Sequence, residues 1–135
     1  MFKIKDLFSQ FILAINIVFL LYYAFQLIIF TDEFAIKNIG FFNHAVAGLS
    51  EIIAIIFFSL ALALIIILIR GVERQLPIFL LIFLTQFVIA LNFWRYVLTN
   101  SPGETELKTI TFNAIIFSLI SLISFIILFR NIKKL

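Results

Sequence analysis

Four long apolar runs separated by short polar breaks set the plan of this chain. They cover about residues 8–30, 45–69, 77–94 and 109–129. Each is close to or above the roughly 20 residues that a helix needs to cross a hydrocarbon core of about 30 Å. Lipid offers no partner to backbone N–H and C=O groups, so a spanning segment is either a helix or part of a closed barrel. The runs show no two-residue alternation, which selects helices. The expected fold is all-α: an integral membrane bundle of four transmembrane helices, in one domain over residues 1–135.

The breaks carry their own signals. Thr31-Asp32-Glu33-Phe34 reads as the start of a short helix, with Thr31 as N-cap and acids in the first turn. Gly40 is placed to end that helix in a left-handed conformation. Residues 70–75 form a charged turn, and Pro77 falls where a helix start tolerates proline. Ser101-Pro102-Gly103 interrupts the chain between the third and fourth runs. The first run follows Lys3 and Lys5, as a signal peptide would, but it is too long for an h-region and no small-x-small cleavage site follows. It is expected to be a retained span.

Composition agrees with this plan and removes several functions. The chain is 64% hydrophobic and 13% charged and holds 19 Phe, more apolar surface than one soluble core of this length can hide. There is no Cys, which excludes disulfides, thiol nucleophiles and Cys-ligated clusters. A single His cannot build a bis-His haem or a multi-His metal site. No basic soluble face offers itself to nucleic acid. The cations are distributed unevenly. With the N-terminus inside, seven Lys and Arg (Lys3, Lys5, Arg70, Arg74, Arg130, Lys133, Lys134) fall on the inner side and three (Lys37, Arg95, Lys108) on the outer. Both termini are therefore expected to be cytoplasmic, in a bacterial-type inner membrane, with Asp32, Glu33, Glu104 and Glu106 as an outer acidic rim. Trp94 and Tyr96 are expected at the interface.

Depth along the helices locates candidate chemistry. At about 1.5 Å per residue, Glu51 and Arg95 both lie roughly 27–29 Å from the inner boundary. The second and third spans are joined by a short turn, so they are expected to be neighbours, with Glu51 and Arg95 as an ion pair. Gln26, Asn92, Asn113 and His44 fall near that level. Together these six residues outline a candidate polar pocket open to the outer side; a packing clasp between two helices, or a Glu51 kept wet among headgroups, are the competing readings. Ala47, Gly48, Ala54 and Ala61 form a small-residue stripe suited to close helix packing, which turns Glu51 towards the bundle. A second polar level near mid-membrane holds Asn16, Ser59, Gln86, Ser118 and Ser121, with Gln86 aimed at a different helix or a neighbouring subunit. Ser118, Ser121 and Ser124 read as close packing rather than a hydroxyl-lined path.

Gly40 followed by Ala47-Gly48-Leu49-Ser50-Glu51-Ile52-Ile53, on a helix ending at Arg70, resembles the DoxX-like family of small four-helix membrane proteins. That resemblance implies an A-G-x-x-E-like signature of which Gly48 and Glu51 carry over. It further implies links to quinone-coupled sulfur oxidation, membrane oxidoreductase assemblies or receptor chaperoning, with a quinone as the conceivable cofactor. The third and fourth spans add nothing to it, so Arg95 lies outside the likeness. The absence of Cys opposes any thiol exchange by this chain.

Three functions remain. The first is an accessory or assembly subunit, without enzymatic activity, acting through helix contacts with a larger membrane complex or a second copy. The second is an oligomeric transporter of a small molecule or ion that uses Glu51. The third is a quinone-linked redox subunit.

Overall fold

A computed structural model of the chain describes residues 4, 6–100 and 105–133. Lys3, Lys5 and Lys134 of the charge count, the Ser101-Pro102-Gly103 break and Glu104 lie outside them. The described chain forms five helices: α1 (Leu7–Ile29), α2 (Thr31–Ile39), α3 (His44–Arg70), α4 (Leu76–Thr99) and α5 (Leu107–Asn131). All but α2 are long and apolar enough to cross a membrane. Their outward faces are mostly large apolar side chains, Ile, Leu and Phe above all.

The bundle is built from two hairpins. α3 packs along α1, and α4 along α5. α2 carries the chain from the end of α1 to the start of α3, so α1 and α3 run antiparallel, as α4 and α5 do across their own connection. α3 and α4 follow one another through a tight turn yet barely touch, which corrects the expected pairing of the second and third spans. The turn explains part of this. Gly71 and Arg74 both take positive φ, at 106° and 59°, and the chain leaves α3 sharply before Pro77 seeds the next helix.

Within the first hairpin the buried residues recur at alternating steps of three and four. In α1 they include Ser9, Leu13, Asn16, Leu20, Tyr23 and Leu27; in α3, Ser50, Ala54, Phe57, Ala61 and Leu64. This seven-residue repeat is the pattern of left-handed helix packing. Ala54 and Ala61 are fully buried, as expected of a close-packed stripe. Ala47 and Gly48 are only half-buried, and a Cβ on Gly48 would meet nothing within 4 Å. Gly48 therefore makes no close approach inside the chain, contrary to its expected packing role.

The short helix forms as expected, with Asp32 and Glu33 in its first turn and Gly40 left-handed at φ 90°. Its start differs. Phe30 is the N-cap, and the Thr31 hydroxyl donates backwards to the carbonyls of Leu27 (2.7 Å) and Ile28 (3.1 Å). Thr31 thus ties off the last carbonyls of α1 rather than capping α2. True side-chain caps stand at Asp6 for α1 and Asn43 for α3, where Asn43 Oδ1 accepts from Val46 N at 2.9 Å.

Candidate functional site

Polar side chains inside the bundle gather at three levels, and each level links one hairpin to the other. At the end where α1 begins and α5 finishes, Asp6 Oδ2 accepts from the Ser9 hydroxyl (2.6 Å) and lies 3.1 Å from Arg130 Nε. Asn131 Nδ2 donates to Ser9 Oγ at 3.5 Å and to the Ile127 carbonyl at 3.0 Å. Arg130 also covers the Phe8 ring, at 4.8 Å from its centroid. The hydrogen bond from Ser9, helped by the Arg130 charge and by the backbone N–H groups of Phe8 and Ser9, lowers the Asp6 carboxyl below its ordinary 3.8.

The middle level is neutral and buried. Gln86 Nε2 donates to Asn16 Oδ1 at 2.9 Å. The Ser124 hydroxyl lies 2.8 Å from that oxygen and 2.6 Å from Gln86 Oε1; with one proton to give, it donates to one of them at a time. Asn16 Nδ2 returns to the Ile12 carbonyl at 3.2 Å. Gln86 thus points into its own bundle, not towards another subunit. Ser59, assigned to this level by depth, is exposed and bonds its own helix at Ile55 O. Ser118 and Ser121 likewise bond α5 carbonyls, and Ser118 accepts from Trp94 Nε1 at 3.0 Å.

At the α2 end, donors run in one direction. Tyr23 OH donates to Asn113 Oδ1 (2.6 Å), Asn113 Nδ2 to Asn38 Oδ1 (2.6 Å), and Asn38 Nδ2 to the Phe34 carbonyl (2.9 Å). This chain joins α1, α5 and α2. Among the described residues no buried side-chain nitrogen or oxygen is left without a partner. Inside an apolar bundle that is what a unique packing requires.

A cavity of about 650 Å³ opens beside this third level, between the two hairpins and under α2. Its floor is aromatic. Phe117 sits at the centre, with Tyr23, Phe93 and Phe57 at ring distances of 4.8, 5.5 and 6.5 Å. Ile53 of α3 and Ile89 of α4 form part of its walls, so the cavity occupies the space where those helices stand apart. Its polar lining consists of Asn38, Asn92, Asn100, Tyr96, Thr99 and Thr105, together with Tyr23. Among the described residues no charged side chain lines it. Beyond the floor the core closes, and the space beside Asn16 and Ser124 is only about 10 Å³.

The six residues expected to share one pocket are separated. Asn92 lines the cavity; Gln26 and Asn113 line a smaller pocket of about 190 Å³ behind the Tyr23 and Asn38 wall. Glu51, Arg95 and His44 line neither, and all three are exposed. Glu51 does not face the bundle, because the buried stripe of α3 runs through its neighbour Ser50. Among the described residues the ion pair is Asp6 with Arg130, not Glu51 with Arg95; the Arg95 guanidinium lies over its neighbour Tyr96, at 4.9 Å. Tyr96 also lines the cavity, so it faces inward as well as towards an interface. Among the described residues no cluster of three or more His, Asp or Glu side chains is placed to hold a metal ion. Sequence reasoning missed the cavity itself. Its signal was the aromatic set Tyr23, Phe57, Phe93 and Phe117, one from each long helix, which no single helix reveals.

Comparison with known proteins finds no matching protein family, no matching curated protein and no matching solved structure.

Proposed function

We propose that the chain is a multi-pass protein of a bacterial-type cytoplasmic membrane, with both termini on the cytoplasmic side, and that its cavity holds a small, uncharged, lipid-soluble molecule for a larger membrane assembly. The cation bias of the sequence supports the orientation, and the contact of Asp6 with Arg130 brings the first and last spans to one end. The observation that carries the binding role is the cavity lining, which among the described residues consists of aromatic and aliphatic walls, amides and hydroxyls, without charge. Its volume is that of a small-molecule site. An ionic ligand would lose its hydration there and find no counter-charge among the described residues. Among the described residues the same lining offers no carboxylate, imidazole or amine for acid–base work, which favours holding over converting. A quinone belongs to the favoured class, and the resemblance of the second span to DoxX-like proteins points the same way, with Asn92 and Tyr96 at its head group.

The test is solvent extraction of the purified protein followed by mass spectrometry, with Ile53→Trp as the comparison. Ile53 lines the cavity and is 43% exposed, so a larger side chain enters the cavity without entering the packed core. Wild type should yield a neutral lipid-soluble species that falls roughly tenfold in the variant, a loss equivalent to about 1.4 kcal/mol of binding. Equal recovery from both, at equal melting temperature, would overturn the reading.

The outer face of α3 supports the association half of the proposal. Gly48 opens onto free space and Glu51 is exposed beside it, so a second helix can approach there without disturbing the fold. Transport coupled to Glu51 has weaker support, since that carboxylate does not line the cavity.

A further inference from the structure

A second site lies on the opposite side of the Tyr23 and Asn38 wall. An apolar groove of about 620 Å³ runs between α1 and α5 on the outer surface, lined by Phe11, Ile15, Val18 and Phe19 from α1 and by Phe112 and Ile116 from α5. At its α2 end it meets the small polar pocket, for Tyr22, Tyr23 and Phe112 line both. That pocket holds one anion and one cation, Glu33 and Lys37, a helical turn apart on α2, with Gln26 from the last turn of α1. Of its other polar residues, Thr109 donates to Glu106, Asn113 is bonded to Tyr23 and Asn38, and Tyr22 adds an exposed hydroxyl. Among the described residues Glu33 and Lys37 form no ion pair with each other or with a third side chain.

We infer that groove and pocket together bind a zwitterionic phospholipid with a primary amine in its headgroup. The groove takes one acyl chain. From Gln26 to Phe11 is about 22 Å of helix, the reach of one long extended chain. The pocket stands at the last two turns of α1, beside α2, which sets it towards the headgroup layer. Lys37 and the Gln26 amide donate to the phosphate, and the Glu33 carboxylate accepts from the ammonium. A choline headgroup has no N–H to give Glu33, and a glycerol headgroup brings no cation to it. This site is distinct from the cavity of the proposed function and stands or falls separately.

Native mass spectrometry of the detergent-solubilised full chain tests it, by titration with phosphatidylethanolamine, phosphatidylcholine and phosphatidylglycerol of the same acyl composition. Wild type should bind phosphatidylethanolamine roughly tenfold more tightly than the other two, the gain of one charge-assisted hydrogen bond. Glu33→Gln should remove most of that preference, Lys37→Gln should weaken all three lipids through their shared phosphate, and both should melt as wild type does, because both side chains are exposed. Val18→Trp, at a position 66% exposed, should fill the groove and weaken all three lipids alike. Equal binding of the three lipids by wild type, or a preference that survives Glu33→Gln, would overturn the assignment.

Discussion

Asn16 shows what a buried amide does in this molecule. Its carboxamide oxygen serves both Gln86 and Ser124, so a single side chain of α1 holds α4 and α5 together at mid-depth. Gln86→Met keeps the volume and removes the amide. It should cost about 1 kcal/mol in a reversible detergent-unfolding assay, the usual scale of interhelical hydrogen bonds, because Ser124 still has Asn16 Oδ1 to bond. Gly48 and Ala54 should separate cleanly in the same assay. Ala54→Leu overfills a buried seam and should cost about 1–3 kcal/mol. Gly48→Ala meets open space and should be neutral or slightly stabilising. Asp6 gives a pH prediction. Its folded pKa is below the ordinary 3.8, so its contribution is present above that value and fades as pH falls through the lowered folded one. Asp6→Asn should abolish that acid-side loss in a melting series. The height of these residues was legible in the sequence, because rise per residue is fixed. Their direction was not. Glu51 and Arg95 reach similar depths, but each residue also turns about 100° around its helix, and only the packing partner decides which direction is inward. With α3 packed on α1 and α4 on α5, both side chains are exposed.

At the scale of elements the molecule is a pair of hairpins, and their joints differ in kind. α1 and α3 meet along the seven-residue repeat through apolar and small side chains, whereas one hairpin meets the other at the three polar levels. The joint between α3 and α4 is little more than the turn at residues 70–75. Fragments covering residues 1–72 and 73–135, co-expressed in one membrane, should therefore reassemble and co-purify. Asn16→Leu should weaken that recovery more than it lowers the yield of either fragment alone. The four long helices and the short one were readable from apolar length, from Asp32 and Glu33, and from Gly40. The pairing was not, because chain adjacency suggested α3 with α4, while the two positive-φ residues in the connection let the chain depart from it.

For the whole molecule, the absence of Cys makes topology directly measurable. Lys37→Cys on α2 and Arg74→Cys in the turn should react with a membrane-impermeant maleimide from opposite sides of intact cells or oriented vesicles, Lys37→Cys from outside. Labelling of both from one side would reject the proposed orientation. The polar levels also act as two rulers with unlike graduations. On α1 the marks Ser9, Asn16 and Tyr23 stand seven residues apart; on α5 their partners Asn131, Ser124 and Asn113 are spaced seven and then eleven. An apolar seam alone repeats every heptad, and two such seams can slip by one repeat with little penalty. Here a slip that brought Phe117 opposite Asn16 would strand the Asn16 amide in hydrocarbon, at a cost of about 1–3 kcal/mol. The unequal spacing therefore gives two antiparallel greasy helices a single alignment, and with it a fixed position for the Phe117 floor of the cavity.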